Sequence, residues 1–263
     1  MNFYLGTHRP NWLKETAVPL FVSRRTLSRY RKMPRAIGSW ALDSGGFTEL
    51  NMHGRWTLSA CAYADEVRRY RDEVGGMDWA APQDWMCEPF VTAKTGLTVA
   101  EHQRRTIDNF IELRALAPDL PIVPVLQGWQ ASDYLEHIAA YAAAGVELAK
   151  ESLVGLGTVC RRQATAAAMR IVHTVVTAVP AIRIHGFGFK VQGLALLGGH
   201  LASADSLSWS FQARRNPGID GHEALHRNCA NCITYALEWR GRLIERLAAA
   251  TAQRRHTGSE GNR

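Results

Sequence analysis

The chain has 263 residues, 46% hydrophobic and 21% charged, which is enough for one sizeable core and far from the composition of a disordered chain. Thirty-one Lys and Arg against 24 Asp and Glu leave a net charge of +7, which suits a polyanionic partner without requiring one. The five cysteines, an odd number, fit a reducing compartment, and the longest apolar stretch (Val172 to Ile182) is broken by His173, Thr174, Thr177 and Pro180, which excludes a membrane-spanning helix there.

The opening Met1-Asn-Phe-Tyr-Leu-Gly6 has no basic segment followed by an apolar run, so a signal peptide is not expected and the cytoplasm is the expected location. Short apolar runs at Phe3–Leu5, Leu20–Val22, Ser39–Leu42, Met77–Ala80, Ile122–Leu126, Leu148–Val154, Ile182–His185 and Asp205–Trp209 read as strands. Helical patterns separate them. Ser59–Val74 is amphipathic and stops at Gly75-Gly76. Thr98, with Glu101 three residues later, reads as a capping box opening a helix to about Leu116. Ser132 is the expected cap of an alanine-rich helix ending at Gly145. Gln163–Val179 runs to Pro180, Asn228–Gln253 forms a last helix, and 254–263 is expected to be a disordered tail. Strands alternating with helices predict parallel pairing and an α/β fold. Eight of them predict a (β/α)8 TIM-type barrel: one domain, 1–253, including a zinc-type segment and terminal helix at 220–253.

In such barrels the catalytic groups sit at the carboxyl ends of the strands. Three aspartates fall at expected strand ends: Asp43 in Ala41-Leu-Asp-Ser-Gly-Gly-Phe47, Asp84 in Pro82-Gln-Asp-Trp-Met86 and Asp205 in Ser203-Ala-Asp-Ser-Leu-Ser-Trp209. Between them lie Val125-Leu-Gln-Gly128, Val154-Gly-Leu-Gly157 and His185-Gly-Phe-Gly188. Glycine beside a strand-end carboxylate lets a flat ligand approach the backbone. The Gln127 amide both donates and accepts, which suits a purine edge. Each string alone also fits an ordinary turn or cap; their shared placement makes a site.

Basic pairs recur, among them Arg161-Arg162 and Arg214-Arg215 beside the site loops. Singly they read as solvated helix faces, and together they point to a nucleic-acid backbone. His222-x3-His226-x2-Cys229-x2-Cys232 supplies four zinc-type ligands within eleven positions, with His256 a rival ligand; a buried cysteine pair beside exposed histidines is the plainer alternative.

Taken in order, these segments resemble the tRNA-guanine transglycosylase superfamily over roughly residues 40 to 235, with Asp43-Ser-Gly-Gly-Phe47 the most specific string. The chain is shorter than the typical tRNA enzymes. Asn228-Cys-Ala-Asn-Cys232 followed by Tyr235-Ala-Leu-Glu-Trp239 is similar to the short DpdA-type proteins, which place a 7-deazaguanine base into DNA. The resemblance implies Asp205 as nucleophile and Asp43 as general acid/base. It implies Asp84 as acceptor from the base, Gln127 and the Gly155 backbone reading the opposite edge, and Phe47 and Phe187 stacking on its faces. His185 and Gly186 belong to the same base-binding segment. It further implies a structural Zn2+, DNA and a free 7-deazaguanine (such as 7-cyano-7-deazaguanine) as partners, and no membrane. A homodimer or accessory modification proteins stay open. The alternatives are base exchange on tRNA, a catalytically silent nucleic-acid-binding barrel, and an unrelated lyase or aldolase barrel using Lys150 or Lys190. Two departures weigh on the choice. Ser-Leu-Ser-Trp-Ser follows Asp205 where the tRNA enzymes lead to an arginine, and only two cysteines stand where the superfamily has three zinc-binding ones. Glu88 would share or replace the role of Asp84.

Overall fold

The computed structural model describes residues 1–159, 166–189 and 191–260. Eight strands, β1 (Asn2–Thr7), β2 (Leu20–Ser23), β3 (Trp40–Asp43), β4 (Met77–Ala80), β5 (Val125–Leu126), β6 (Val154–Leu156), β7 (Ile184–Gly186) and β8 (Ser203–Ser206), form one sheet in the order β4-β3-β2-β1-β8-β7-β6-β5. Every ladder is parallel. Leu5 pairs with Leu20, Ser23 with Asp43, His185 with Ser203, and the last strand returns to the first with Tyr4 opposite Asp205. The sheet is curled. Its two end strands share no ladder; β4 meets only the segment before β5, at one isolated parallel bridge of Ala80 with Ile122. Proline explains the short contact: Pro121 and Pro124 flank Ile122-Val123 and have no N–H to give, so the expected Ile122–Leu126 strand shrinks to two residues. The predicted TIM-type barrel is thus observed as an eight-stranded curled parallel sheet with helices.

The helices are α1 (Arg24–Leu27), α2 (Gly46–His53), α3 (Ala60–Val74), α4 (Pro89–Thr95), α5 (Val99–Leu116), α6 (Ala131–Ala143), α7 (Ala166–Ala178), α8 (Val191–Leu197), α9 (Ser208–Gln212) and α10 (Ile233–Glu260). Strand alternation divides the core in two. Phe3, Leu5, Val22, Trp40, Leu42 and Ile184 pack with the helices in the large cluster. Tyr4, Ala41, Trp79, Val123 and Leu153 form a smaller cluster with Phe21 and Phe187 on the inner face of the sheet. The same alternation places Asp43 on the side of Ala41, and Asp205 on the opposite side from Ala204.

The cap expected at Thr98 is observed, its Oγ1 accepting from Glu101 N–H, and Ser59 caps α3 in the same way, its Oγ accepting from Ala62 N–H. Four elements differ from expectation. Leu148–Val154 is a 3-10 turn (Leu148–Lys150) followed by β6, because the polar Glu151-Ser152 interrupts the apolar run. Asp205 stands inside β8 rather than at a strand start; the Ser206 Oγ accepts from Ser208 N–H and turns the chain into α9. Helix α6 is capped by Gln130 with Asp133, not by Ser132. Asn228 caps a 3-10 turn at Cys229–Asn231, while α10 starts at Ile233 and runs to Glu260, past Gln253. No helix among the described residues is long and apolar enough to cross a membrane.

Candidate active site and metal cluster

Asp43, Asp84 and Asp205 line one cavity of about 570 Å³ together with Phe47, Gln127, Phe187 and Glu88. Asp43 reaches it because Gly45 holds a positive φ of 81°, which starts α2 and lets the Gly45 N–H donate to the Asp43 carboxylate at 3.1 Å. A side chain at Gly45 would also meet Arg25 at 2.8 Å. Burial raises the Asp43 pKa above the usual carboxylate range; the Gly45 and Ser23 hydrogen bonds oppose that shift, and the negative charge of Asp205 adds to it.

Asp84 sits on the loop after β4. Its Oδ1 accepts from the Ser44 hydroxyl at 3.2 Å and its Oδ2 from the Gln127 amide. Burial pushes its pKa up to about 7, with Gln127 pulling down and Asp43 pushing up. Gln127 is held at both ends, since its Oε1 accepts from the Thr158 hydroxyl. A Cβ at Gly157 would fall 2.3 Å from the Gln127 amide, so only glycine leaves room for this packing. Helix α5 clamps the loop from behind. The Thr106 hydroxyl accepts from Trp85 N–H, Asn109 Oδ1 accepts from Gln83 N–H, and Gln103 donates to the Gln127 carbonyl. His102 Nδ1 lies 2.6 Å from the Met86 carbonyl.

Asp205 is held from the other side. His185 is fully buried, with Nε2 3.2 Å from Asp205 Oδ1 and Nδ1 2.9 Å from the Ser203 hydroxyl. Burial lowers the His185 pKa, so the ring is neutral. The geometry suits the tautomer in which Nε2–H donates to the Asp205 carboxylate and Nδ1 accepts from the Ser203 hydroxyl. Gly188 N–H donates to the same Oδ1 at 2.8 Å. Among the described residues both donors take Oδ1, and Oδ2 is left for other chemistry.

The remaining expected residues are placed as follows. Phe187 lines the cavity in a T-shaped contact with His185, ring centroids 4.9 Å apart, and Phe47, 39% exposed, lies at the opening in a T-shaped contact with Phe90. Gly155 does not line the cavity: a Cβ there would strike the Phe187 ring at 2.5 Å, and Gly157 stands on the wall instead. His185 and Gly186 are likewise beneath the wall, His185 behind Asp205 and Gly186 against the Phe189 ring. Arg214 and Arg215 are exposed just after α9, and Arg214 is near enough to His8 on the cavity wall to lower its pKa further, after burial. Arg161 and Arg162 lie outside the described residues, as does Lys190, and Lys150 is an exposed partner of Glu147.

Thr158 was not among the expected site residues. It is the one non-glycine residue with positive φ (57°) among those described, an unfavourable conformation for a β-branched side chain. Its hydroxyl, bonded to Gln127, also accepts from Cys87 N–H at 3.0 Å and lies 3.4 Å from the buried Glu88 carboxylate. Its only signal in the sequence is its position after Gly157. Ser44, Arg25 and His8 also line the cavity and carry no spacing signal.

His222, His226, Cys229 and Cys232 offer four ligand atoms that all lie within 4.8 Å of one another. His226 Nε2 is 3.2 Å from Cys229 Sγ, and His222 Nδ1 is 3.9 and 3.5 Å from the two sulfurs. Tetrahedral zinc with its usual bond lengths separates neighbouring ligands by about 3.3–3.8 Å, so the set fits a metal ion. Asn228 caps the turn that sets Cys229, and the Ser210 hydroxyl donates to the Ala230 carbonyl, tying the cluster to α9.

Three carboxylates in one cavity, Asp84 and Asp205 buried and Asp43 half-buried, held by separate hydrogen-bond frames, accompany a match over nearly the whole sequence. The chain belongs to the DpdA family, DeoxyPurine in DNA protein A, whose family model matches residues 1–259. At the level of class, DpdA membership makes it a transferase of the tRNA-guanine transglycosylase type concerned with DNA modification. No curated protein matches the chain.

Proposed function

We propose that this DpdA protein exchanges guanine in DNA for a 7-deazaguanine base such as 7-cyano-7-deazaguanine, working at the carboxyl ends of a (β/α)8 barrel. The observation that carries the reading is the convergence of Asp43, Asp84 and Asp205 on one cavity. Asp205 Oδ2 attacks C1′ of the deoxyribose as the bond from C1′ to N9 breaks, giving an Asp205–sugar ester. Asp43, whose burial favours the protonated form, gives its proton to the departing guanine. The incoming base then loses its N9 proton to Asp43, N9 attacks C1′, and the Asp205 carboxylate is released.

Asp84 accepts from the exocyclic amine and ring N–H of the base, and Gln127 and Gly157 face its other edge. Phe187 and Phe47 contact its faces. A duplex hides the glycosidic bond, so the target nucleotide is flipped out or single-stranded. The His2Cys2 cluster holds one zinc ion that orders the segment leading into α10 and takes no part in the exchange.

The test is incubation of the purified protein with labelled 7-cyano-7-deazaguanine and plasmid DNA, single-stranded DNA or bulk tRNA, followed by nucleoside mass spectrometry. Label in DNA supports the reading, and label in tRNA alone overturns it.

A further inference from the structure

A second hollow, of about 730 Å³, lies between α8, α9 and α10. Its wall includes Phe211, Tyr235, Trp239, Arg242 and Arg246, and no carboxylate among the described residues lines it. Phe211 is 54% exposed, so its ring is open to a ligand. The Arg215 guanidinium lies over its ring at 3.9 Å. Trp239 is buried and donates from Nε1 to Gln212 Oε1 at 2.9 Å. Arg242 has one acidic neighbour, Glu238, at 3.6 Å on an exposed helical face.

The two hollows are lined by consecutive residues at the start of α9. Leu207 lines the cavity of the three aspartates and Ser208 lines the second hollow, one peptide bond apart and two to three residues beyond Asp205. Arg215 covers Phe211 at the wall of the second, and Arg214, also exposed, stands beside it in the chain.

Resting on the reading of this protein as a DNA base exchanger, we propose that the second hollow is a docking groove for the single DNA strand flanking the nucleotide at Asp205. Arginines beside an exposed aromatic face, without lining carboxylates, suit a single strand: the cations meet phosphates and the ring stacks on a base of any sequence. Arg242 and Arg246 meet the backbone, and Phe211, backed by Arg215, takes a base.

The experiment measures binding of fluorescein-labelled oligodeoxynucleotides by anisotropy, with a guanine-centred trinucleotide that fills only the Asp205 cavity and a 15-mer that extends beyond it. The charge-reversed R242E/R246E variant, and separately Phe211→Ala, are compared with wild type. Expected are a loss of about tenfold or more in 15-mer affinity for the double variant, a salt-dependence slope lower by about 0.7 per lost phosphate contact, and unchanged trinucleotide binding. Phe211→Ala, a surface truncation, gives a smaller loss on the 15-mer at unchanged salt slope. Wild-type 15-mer binding in both variants overturns the groove. A change in oligomeric mass on substituting Phe211 assigns it to a second copy of the chain instead. Base exchange on tRNA with no binding of either oligonucleotide by wild type sinks the DNA reading itself rather than the groove alone.

Discussion

The cavity and the His2Cys2 cluster are the two chemically dense regions of this protein, and they are built in opposite ways. The cavity draws Asp43, Asp84, Gln127, Thr158, Phe187 and Asp205 from six separate strand ends, and each is held by a partner distant in the chain. The cluster takes all four ligands from positions 222 to 232, on a loop and two 3-10 turns. A distributed site inherits its precision from the sheet and its order from the core. A local one inherits little from the fold and depends on whatever occupies it. The difference predicts that substitutions in the cavity remove activity and leave stability, while substitutions in the cluster do the reverse.

The largest effect is expected at Asp205. Asp205→Ala loses base exchange by on the order of 10⁴-fold or more, as removal of a nucleophile does elsewhere, with an unchanged circular dichroism spectrum. Asp205→Asn is nearly as inactive, because an amide is a poor nucleophile. Release of radiolabelled guanine from DNA reads both. Wild-type release from either variant removes Asp205 from the nucleophile role and erases the contrast.

Next comes His185, which holds Asp205 without lining the cavity. His185→Gln keeps a donor in roughly the right place, while His185→Ala leaves Oδ1 with the Gly188 N–H. We expect kcat to fall by up to about 10²-fold in the alanine variant, the size expected for misplacing a reacting group by an ångström, with KM little changed and partial recovery in the glutamine variant. Equal loss in both variants, with a lower melting temperature, would make His185 a core residue only.

The cluster supplies the opposite limb. The Cys229→Ser, Cys232→Ser double variant loses one zinc per chain by elemental analysis and melts lower. A loss of several kcal/mol is worth about 10 °C in a chain this long, at about 2–4 °C per kcal/mol. Exchange per folded molecule at low temperature stays within a few-fold of wild type. Zinc retained at full stoichiometry in the double variant, or none in wild type, rejects the metal.

The same contrast governs what the sequence makes legible. The cluster is readable from spacing alone, because local ligands keep their order on any fold. Helix α5 is readable from the Thr98 cap and α3 from its amphipathic pattern and the Gly75-Gly76 stop, because both signals are also local. For the cavity, strand alternation brings Asp43 and Asp205 to the inner face, and glycine strings mark the loops, yet the partners stay hidden. Nothing near Thr158 announces a left-handed threonine bonded to Gln127, and nothing near His102 or Asn109 announces helix α5 gripping the Asp84 loop. Gly155 illustrates the limit: Gly-x-Gly signals close approach, but the group that approaches is the Phe187 ring, and Gly157 takes the wall. The Leu148–Val154 strand fails for a related reason, since hydrophobicity marks burial while the β6 ladder needs the backbone of Gly155 between Val125 and His185.

The smallest effect sharpens the comparison inside the cavity, where Asp84 titrates at about 7 in the empty protein. To accept from the amine and ring N–H of guanine it has to be ionised. Guanine affinity therefore rises with pH, by at most tenfold per unit below 7 and levelling above it, since one proton is released. Stability runs the other way. The folded-state pKa lies above the ordinary carboxylate value of 3.8, so the contribution of protonated Asp84 is complete below about 4 and is lost as pH rises through about 7. Asp84→Asn cannot ionise, so it should bind guanine weakly with a flat pH profile, and its melting temperature should gain on wild type between pH 5 and pH 8. Subtracting the variant from wild type cancels the buried histidines, which shift in both proteins, while Asp43, coupled to Asp84, adds to the difference with the same sign. Calorimetric titration of guanine and parallel melts at each pH check the two halves independently. A flat wild-type affinity profile removes Asp84 from base recognition even if the stability difference is present, and would leave Glu88, buried beside Thr158, as the carboxylate facing the base.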